Sequence, residues 1–190
     1  MMHNWQKNKV IIMINDELKG ILQDKKKILI IGPNGAGKST VAAKLGEQFK
    51  MKVYHLDKIY WKENWKSIDE QEFNRKVDDI MLSDIACIID GGYCSNLERR
   101  LKYADLIIWL QVPLFICIFN IIKRRFKNIN SVRPDMADGC KEKLSFSFFI
   151  YALKYNQRSG RKTRRLIDNA YHKEVLIINK YRMLRKLLKS

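Results

Sequence analysis

Proline is scarce in this chain: three residues in 190, at positions 33, 113 and 134. That leaves no room for a proline-rich linker and lets helices run uninterrupted. Cysteine is sparse as well. Cys87, Cys94, Cys117 and Cys140 form no C-x-x-C pair, and His3, His55 and His172 lie far from them in sequence. A zinc ribbon or finger is therefore excluded. Long apolar runs are also missing. The longest uncharged stretch, Leu106–Ile122, has 17 residues and is broken by Gln111, Pro113 and Asn120. It is short for a membrane span and reads as a buried strand, a turn at Pro113 and a helix. The apolar run Val10–Ile14 is only five residues long, too short for a secretory leader. The expectation is a cytoplasmic protein with reduced thiols and no membrane partner.

Acidic residues are few, 20 against 37 basic, giving a net charge of +17. The imbalance is local. Residues 1–119 hold 18 Lys/Arg and 15 Asp/Glu, whereas residues 120–190 hold 19 and 5. Such an excess suits a polyphosphate, a nucleic acid or another anionic surface; the plainer alternative is a solvated basic face.

Five segments read as buried strands, at 27–31, 52–56, 85–90, 105–110 and 174–179, rich in Ile, Leu and Val without alternation. Helical patterns separate them, at 39–49, 69–82, 113–127, 141–158 and 160–171, and a basic helix is expected over 180–190. This order predicts an α/β protein with a parallel five-stranded sheet between two helical layers. Residues 1–26 read as an N-terminal extension carrying a short amphipathic helix, or as an overlong start with Met13 the true one. Residues 27–190 read as one domain, with 128–143 a lid loop. In such sheets ligands bind at the carboxyl ends of the strands, so the residues after strands carry the information.

Gly32-Pro33-Asn34-Gly35-Ala36-Gly37-Lys38-Ser39 fits G-x-x-x-x-G-K-[ST] between a buried strand and a helix. The glycines let backbone N–H groups turn toward phosphate oxygens, and the helix N-terminus adds partial positive charge. Lys38 is expected at the β- and γ-phosphates of ATP, Ser39 on Mg²⁺ and Thr40 at the α-phosphate. The same letters occur in transporter ATPases. Those carry an LSGGQ-type signature and an acidic residue after the second-motif aspartate, and here Asp90 is followed by Gly91 and Gly92. With no carboxylate to position water, phosphoryl transfer to another molecule is favoured over hydrolysis.

Asp57, in Tyr54–Trp61, is read as closing a strand and reaching into the crevice, where it orients an acceptor hydroxyl or holds a Mg²⁺-bound water; the alternative is a helix cap. Trp61 and Trp65 suit either stacking on a ring or packing. Asp90, in Ile88–Tyr93, is read as a water-mediated magnesium partner. Arginines are expected to close over the transferred phosphoryl group: Arg100, Arg124 and Arg133 first, then Arg158 and Arg161.

These residues together resemble the bacterial DNA topology modulation protein family, adenylate-kinase-like P-loop proteins. The resemblance spans roughly Lys27–Arg182. It rests on GPNGAGKST, YHLDKIYW, IIDGGY, ERRLKYADLIIWLQVP, Arg124–Arg125 and RPDMADGCKEKL. It implies an adenylate-kinase-like three-layer core with a small arginine-bearing lid, ATP binding, and effects on DNA topology. The chain departs from the family pattern at Gly92, where an asparagine is usual, and at Lys141, where a proline is usual. The leading expectation is an ATP- and Mg²⁺-dependent phosphotransferase with a small-molecule or nucleotide acceptor. The alternative is a nucleotide-dependent DNA-binding protein using the basic C-terminal part.

Overall fold

The computed structural model describes residues 20–128, 131–140, 150, 152–153, 155, 159–170 and 172–179. The expected helix over 180–190, most of the one expected over 141–158, most of the N-terminal extension, and Arg158 lie outside these residues.

The core is a five-stranded parallel sheet. Its strands are β1 (Lys27–Ile31), β2 (Lys52–His55), β5 (Cys87–Asp90), β6 (Leu106–Leu110) and β7 (Glu174–Ile178), in the order β2-β5-β1-β6-β7. All five strands expected from the sequence are present. β1 is central because it pairs on both sides, Ile28 with Ile88 of β5 and with Leu106 of β6.

Strand periodicity sorts the core onto two faces. Ile28 and Ile30 of β1 join Ile88, Leu106, Ile108 and Leu110 on one side, while Leu29 and Ile31 join Ile89, Ile107, Trp109 and Val175 on the other. Helix α1 (Lys38–Phe49) covers the first face with Val41, Ala42 and Leu45. α3 (Glu70–Ser83), α4 (Leu97–Tyr103) and α6 (Arg161–Asn169) cover the second with Phe73, Val77, Met81, Leu97, Leu101 and Ile167. Each such fully buried aliphatic side chain contributes about 1.5–3 kcal/mol. α3 begins where Asp69 accepts from the Glu72 N–H at 2.8 Å, satisfying a donor that the first turn leaves unpaired.

α5 (Leu114–Lys127) starts at Pro113, as expected, and ends where Asn128 returns both its N–H and its side-chain amide to the Arg124 carbonyl. Cys117 and Ile121 face inward, while Phe115, Phe119 and Phe126 are exposed.

Two features differ from the sequence reading. β2 ends at His55, so Asp57 does not close a strand; it lies in the first turn of α2 (Leu56–Tyr60). A small antiparallel hairpin follows, β3 (Trp61–Lys62) with β4 (Lys66–Ser67). Its turn has no glycine, the residue that usually signals one. Asn64 and Trp65 take the left-handed conformation instead, at φ 60° and 61°.

Candidate phosphoryl-transfer site

The loop from Gly32 to Gly37 joins β1 to α1 at the carboxyl edge of the sheet. Gly35 has φ 80°, and a Cβ there would lie 2.2 Å from the Cys117 carbonyl, so no other residue fits. The close approach lets Asn120 of α5 donate to the Gly35 carbonyl at 2.9 Å. α5 thus braces the loop, a role the sequence reading did not assign to Asn120; its one signal was an amide within an apolar run. Lys38 Nζ donates to the Pro33 carbonyl at 3.0 Å, so the ammonium lies across the mouth of its own loop. Thr40, the next residue but one, is exposed.

The neighbouring strand ends bring up the carboxylates. His55 and Asp90 are register partners on β2 and β5, and His55 Nδ1 meets Asp90 Oδ2 at 2.8 Å. Asp90 is 4 % exposed, and its other oxygen is buried without a hydrogen-bond partner. A buried carboxylate oxygen left open in this way has the chemistry to hold a metal-bound water. Among the described residues no three His, Cys, Asp or Glu side chains form a metal cage of their own. Ser39 and Asp90 fit the different arrangement in which Mg²⁺ arrives on nucleotide phosphates and keeps most of its waters.

Asp57 stands beside them. Burial pushes its carboxyl above the usual carboxylate range; the Tyr93 hydroxyl, Lys38 and Arg133 oppose that shift, and Asp90 adds to it. Tyr93 donates to Asp57 Oδ1 at 2.7 Å. Burial, and then the Asp57 charge, drive the phenol far above its ordinary pKa, so it remains a donor. Tyr93 packs tilted against Tyr60 and Phe73, each with ring centroids 5.0 Å away. Trp61 meets Tyr60 at 5.0 Å and Trp65 at 5.6 Å, so the two tryptophans pack within this aromatic wall.

The arginines divide. Arg133 belongs to the loop 131–140; its side chain is 10 % exposed, it pairs with Asp135 at 2.9 Å, and its charge reaches Asp57. Arg124 is half-buried in the last turn of α5. It shares a face with Asn120 four residues earlier, about 6 Å further along the axis from the phosphate loop. Arg161 is exposed at the start of α6.

Arg100 does not face the crevice as expected. It is 0 % exposed, and Nε donates to Asn96 Oδ1 at 2.7 Å, Nη1 to the Gly91 carbonyl at 3.1 Å and Nη2 to the Tyr93 carbonyl at 2.6 Å. It holds the Gly91–Tyr93 turn from beneath. Burial lowers its guanidinium to about 10, which leaves it charged at neutral pH. Its neighbour Arg99 points outward and pairs with Asp78 of α3.

The fold thus gathers Lys38, Ser39, Asp57, Asp90 and Arg133 around one crevice, and adds His55, Tyr93, Asn120 and Asp135 to it. The sequence reading gave the last four no role, although His55, Tyr93 and Asp135 fall inside its motifs.

No family model matches the chain. The uncharacterized protein YqaC of Bacillus subtilis (strain 168) is 28% identical over 134 residues, 70% of this chain and 74% of that protein. The shikimate kinase of Tolumonas auensis is 28% identical over 107 residues; the match covers 49% of this chain and 62% of that enzyme. Among solved structures, the deoxyadenosine kinase from M. mycoides, bound to dCMP and dCDP, superposes with a TM-score of 0.50 at 14% identity. That match covers 86% of this chain and 94% of the kinase. The chain therefore has the α/β fold of the P-loop kinases, with the Gly32–Gly37 loop at the carboxyl edge of a five-stranded parallel sheet.

Proposed function

We propose that the protein is a kinase that transfers the γ-phosphoryl group of ATP to a hydroxyl of a small acceptor. The observation that carries this reading is the Asp57 carboxylate, raised by burial, hydrogen-bonded to Tyr93, and lying within the fields of Lys38 and Arg133. A base must sit near the phosphoryl group, be correctly aimed, and have a pKa nearer to neutrality than a free carboxylate. The raised pKa of Asp57, its hydrogen bond from Tyr93 and the nearby charge of Lys38 support that role.

In this mechanism the loop amides and Lys38 hold the β- and γ-phosphates. Ser39 and Asp90 would hold Mg²⁺, which neutralises charge on the phosphate oxygens when bound. Asp57 accepts the proton of the acceptor hydroxyl as that oxygen bonds to the γ-phosphorus and the bond to the ADP oxygen breaks. Tyr93 keeps Asp57 aimed, and Arg133 balances charge over the transferred group. The aromatic wall of Tyr60, Trp61 and Tyr93 shields that region from water, consistent with transfer rather than hydrolysis.

Two variants test the assignment when acceptors are screened with labelled ATP and products are identified by mass. Asp57→Asn lowers transfer by about 10²–10⁴, as for other general bases, while nucleotide binding changes little. Lys38→Ala weakens binding or transfer by orders of magnitude in a folded protein. Loss of ATP affinity in Asp57→Asn, with transfer per bound ATP intact, would move Asp57 out of the acceptor role. Full turnover in Lys38→Ala would remove the phosphate-loop reading altogether.

A further inference from the structure

Two strands that end beside the phosphate loop are fastened to each other by their last side chains. β2 and β5 are parallel neighbours, with Tyr54 opposite Ile89 and His55 opposite Asp90. Register partners put their side chains on one face of a sheet, so the two terminal polar groups meet. His55 Nδ1 lies 2.8 Å from Asp90 Oδ2. The turn after Asp90 is seated from both sides. A Cβ on Gly91 would come within 2.7 Å of the buried Leu56 side chain, and one on Gly92 would lie 3.1 Å from the Gly32 carbonyl. The Gly91 N–H donates to the Ile30 carbonyl at 3.2 Å. Asp90 is therefore held between the strand end that carries His55 and the first residue of the phosphate loop.

The side chain of Asp90 is 5 % exposed and that of His55 17 %. Oδ2 is engaged by the ring, whereas Oδ1 is buried and finds no hydrogen-bond partner among the described residues. A buried polar atom without a partner is costly, and native proteins keep one where it has a task. Nothing intrinsic to aspartate chooses which oxygen stays open, because its terminal torsion is broad and two-fold. The imidazole makes that choice. A carboxylate only accepts, so the contact requires the proton of the ring on Nδ1. That N–H occupies one oxygen, fixes the carboxylate plane and leaves the other oxygen free. Partners of this kind, which never touch the metal, commonly orient the carboxylates of metal sites.

We propose that His55 is a positioning residue that fixes Asp90 with Oδ1 open to the water shell of nucleotide-borne Mg²⁺. The metal half of the proposal rests on the kinase reading; the His55–Asp90 lock in the free protein does not.

The test compares His55→Leu with His55→Asn in the full chain. The two replacements are nearly equal in size and shape, but only asparagine keeps an N–H donor at the place of Nδ1. Binding of a fluorescent ATP analogue is titrated with Mg²⁺. In His55→Leu the Mg²⁺ concentration for half-saturation rises about tenfold, the lower end for losing a partner of a metal-site carboxylate, while affinity in EDTA is unchanged. His55→Asn restores most of the Mg²⁺ response. A purely structural role would weaken binding equally with and without Mg²⁺, and that result overturns the proposal. So does an unchanged Mg²⁺ requirement in folded His55→Leu, or a lowered one, which would make His55 a competitor of the metal. Should His55→Leu fail to fold, His55→Ala removes the same donor with less bulk. A second measurement needs no nucleotide. His55 is one of three histidines, so nitrogen-15 NMR resolves its ring, which His55→Asn identifies by the signals it removes. At mildly alkaline pH the wild-type Nδ1 carries its proton; an unprotonated Nδ1 overturns the lock. A wild-type protein that binds the analogue neither with Mg²⁺ nor without it refutes the kinase reading and the metal half together, leaving the ring measurement to decide the lock.

Discussion

The Tyr93 hydroxyl donates to Asp57 Oδ1 at 2.7 Å across 36 residues of chain. This bond stabilises the ionised form of Asp57 and is among the forces that oppose the upward push of burial. Tyr93→Phe removes it and raises the Asp57 pKa further. A base must be deprotonated to act, so activity is lost as pH falls through that pKa. The acid limb of the kcat profile therefore moves to higher pH, by roughly one unit for the loss of one charge-assisted hydrogen bond. A pH–rate series on the variant checks this; an unmoved limb would assign the titration to another group.

Arg100 supports the same machinery from below. Removing its guanidinium leaves the Gly91 and Tyr93 carbonyls and the Asn96 amide oxygen without their donor in a closed interior. Arg100→Leu is expected to cost about 3 kcal/mol or more, a fall in Tm of roughly 10 °C. Arg100→Lys does not restore it, because an ammonium cannot reproduce three donors in one plane. Thermal melting measures the loss. An equally stable leucine variant with impaired nucleotide binding would return Arg100 to the phosphate.

The basic C-terminal part offers Arg161, Lys162, Arg164 and Arg165, all exposed on α6. A protein of net charge +17 binds DNA phosphates at low salt whatever its function. At about 150 mM salt the expected duplex affinity lies in the non-specific range, roughly 10⁻⁴–10⁻⁶ M. It should also be insensitive to ATP, since a switch needs different affinities in the two nucleotide states. Nanomolar, ATP-dependent binding in a filter or anisotropy assay at that salt would replace the kinase reading with a DNA-binding one.

Features were legible in the sequence where one short segment carries its own cause. Ile28-Leu29-Ile30-Ile31 has apolar side chains for both faces, so it had to be an interior strand. The glycines of the phosphate loop announce a backbone that no other residue tolerates, as Gly35 against Cys117 shows. Illegible were side chains whose role depends on what packs over them. Arg99 and Arg100 are adjacent and chemically alike. The helical turn of 100° per residue sends one into solvent with Asp78 and the other beneath the Tyr93 turn. The glycine-free hairpin was missed because Asn64 and Trp65 take up left-handed backbone without a sequence signal strong enough to read.

By itself, then, the sequence determined the five buried strands, the helices α1, α3, α5 and α6, and the glycine-bearing loop after β1, because hydrophobic period and glycine geometry act over a few neighbouring residues. Only the tertiary structure decided which polar groups meet. Asn120 reaches Gly35 across 85 residues, His55 reaches Asp90 across 35, and Cys140 reaches Lys62 across 78. Parallel crossovers set those meetings by bringing the carboxyl ends of distant strands to one edge. There a hydrogen bond of about 3 Å depends on the register of the whole sheet rather than on any local pattern.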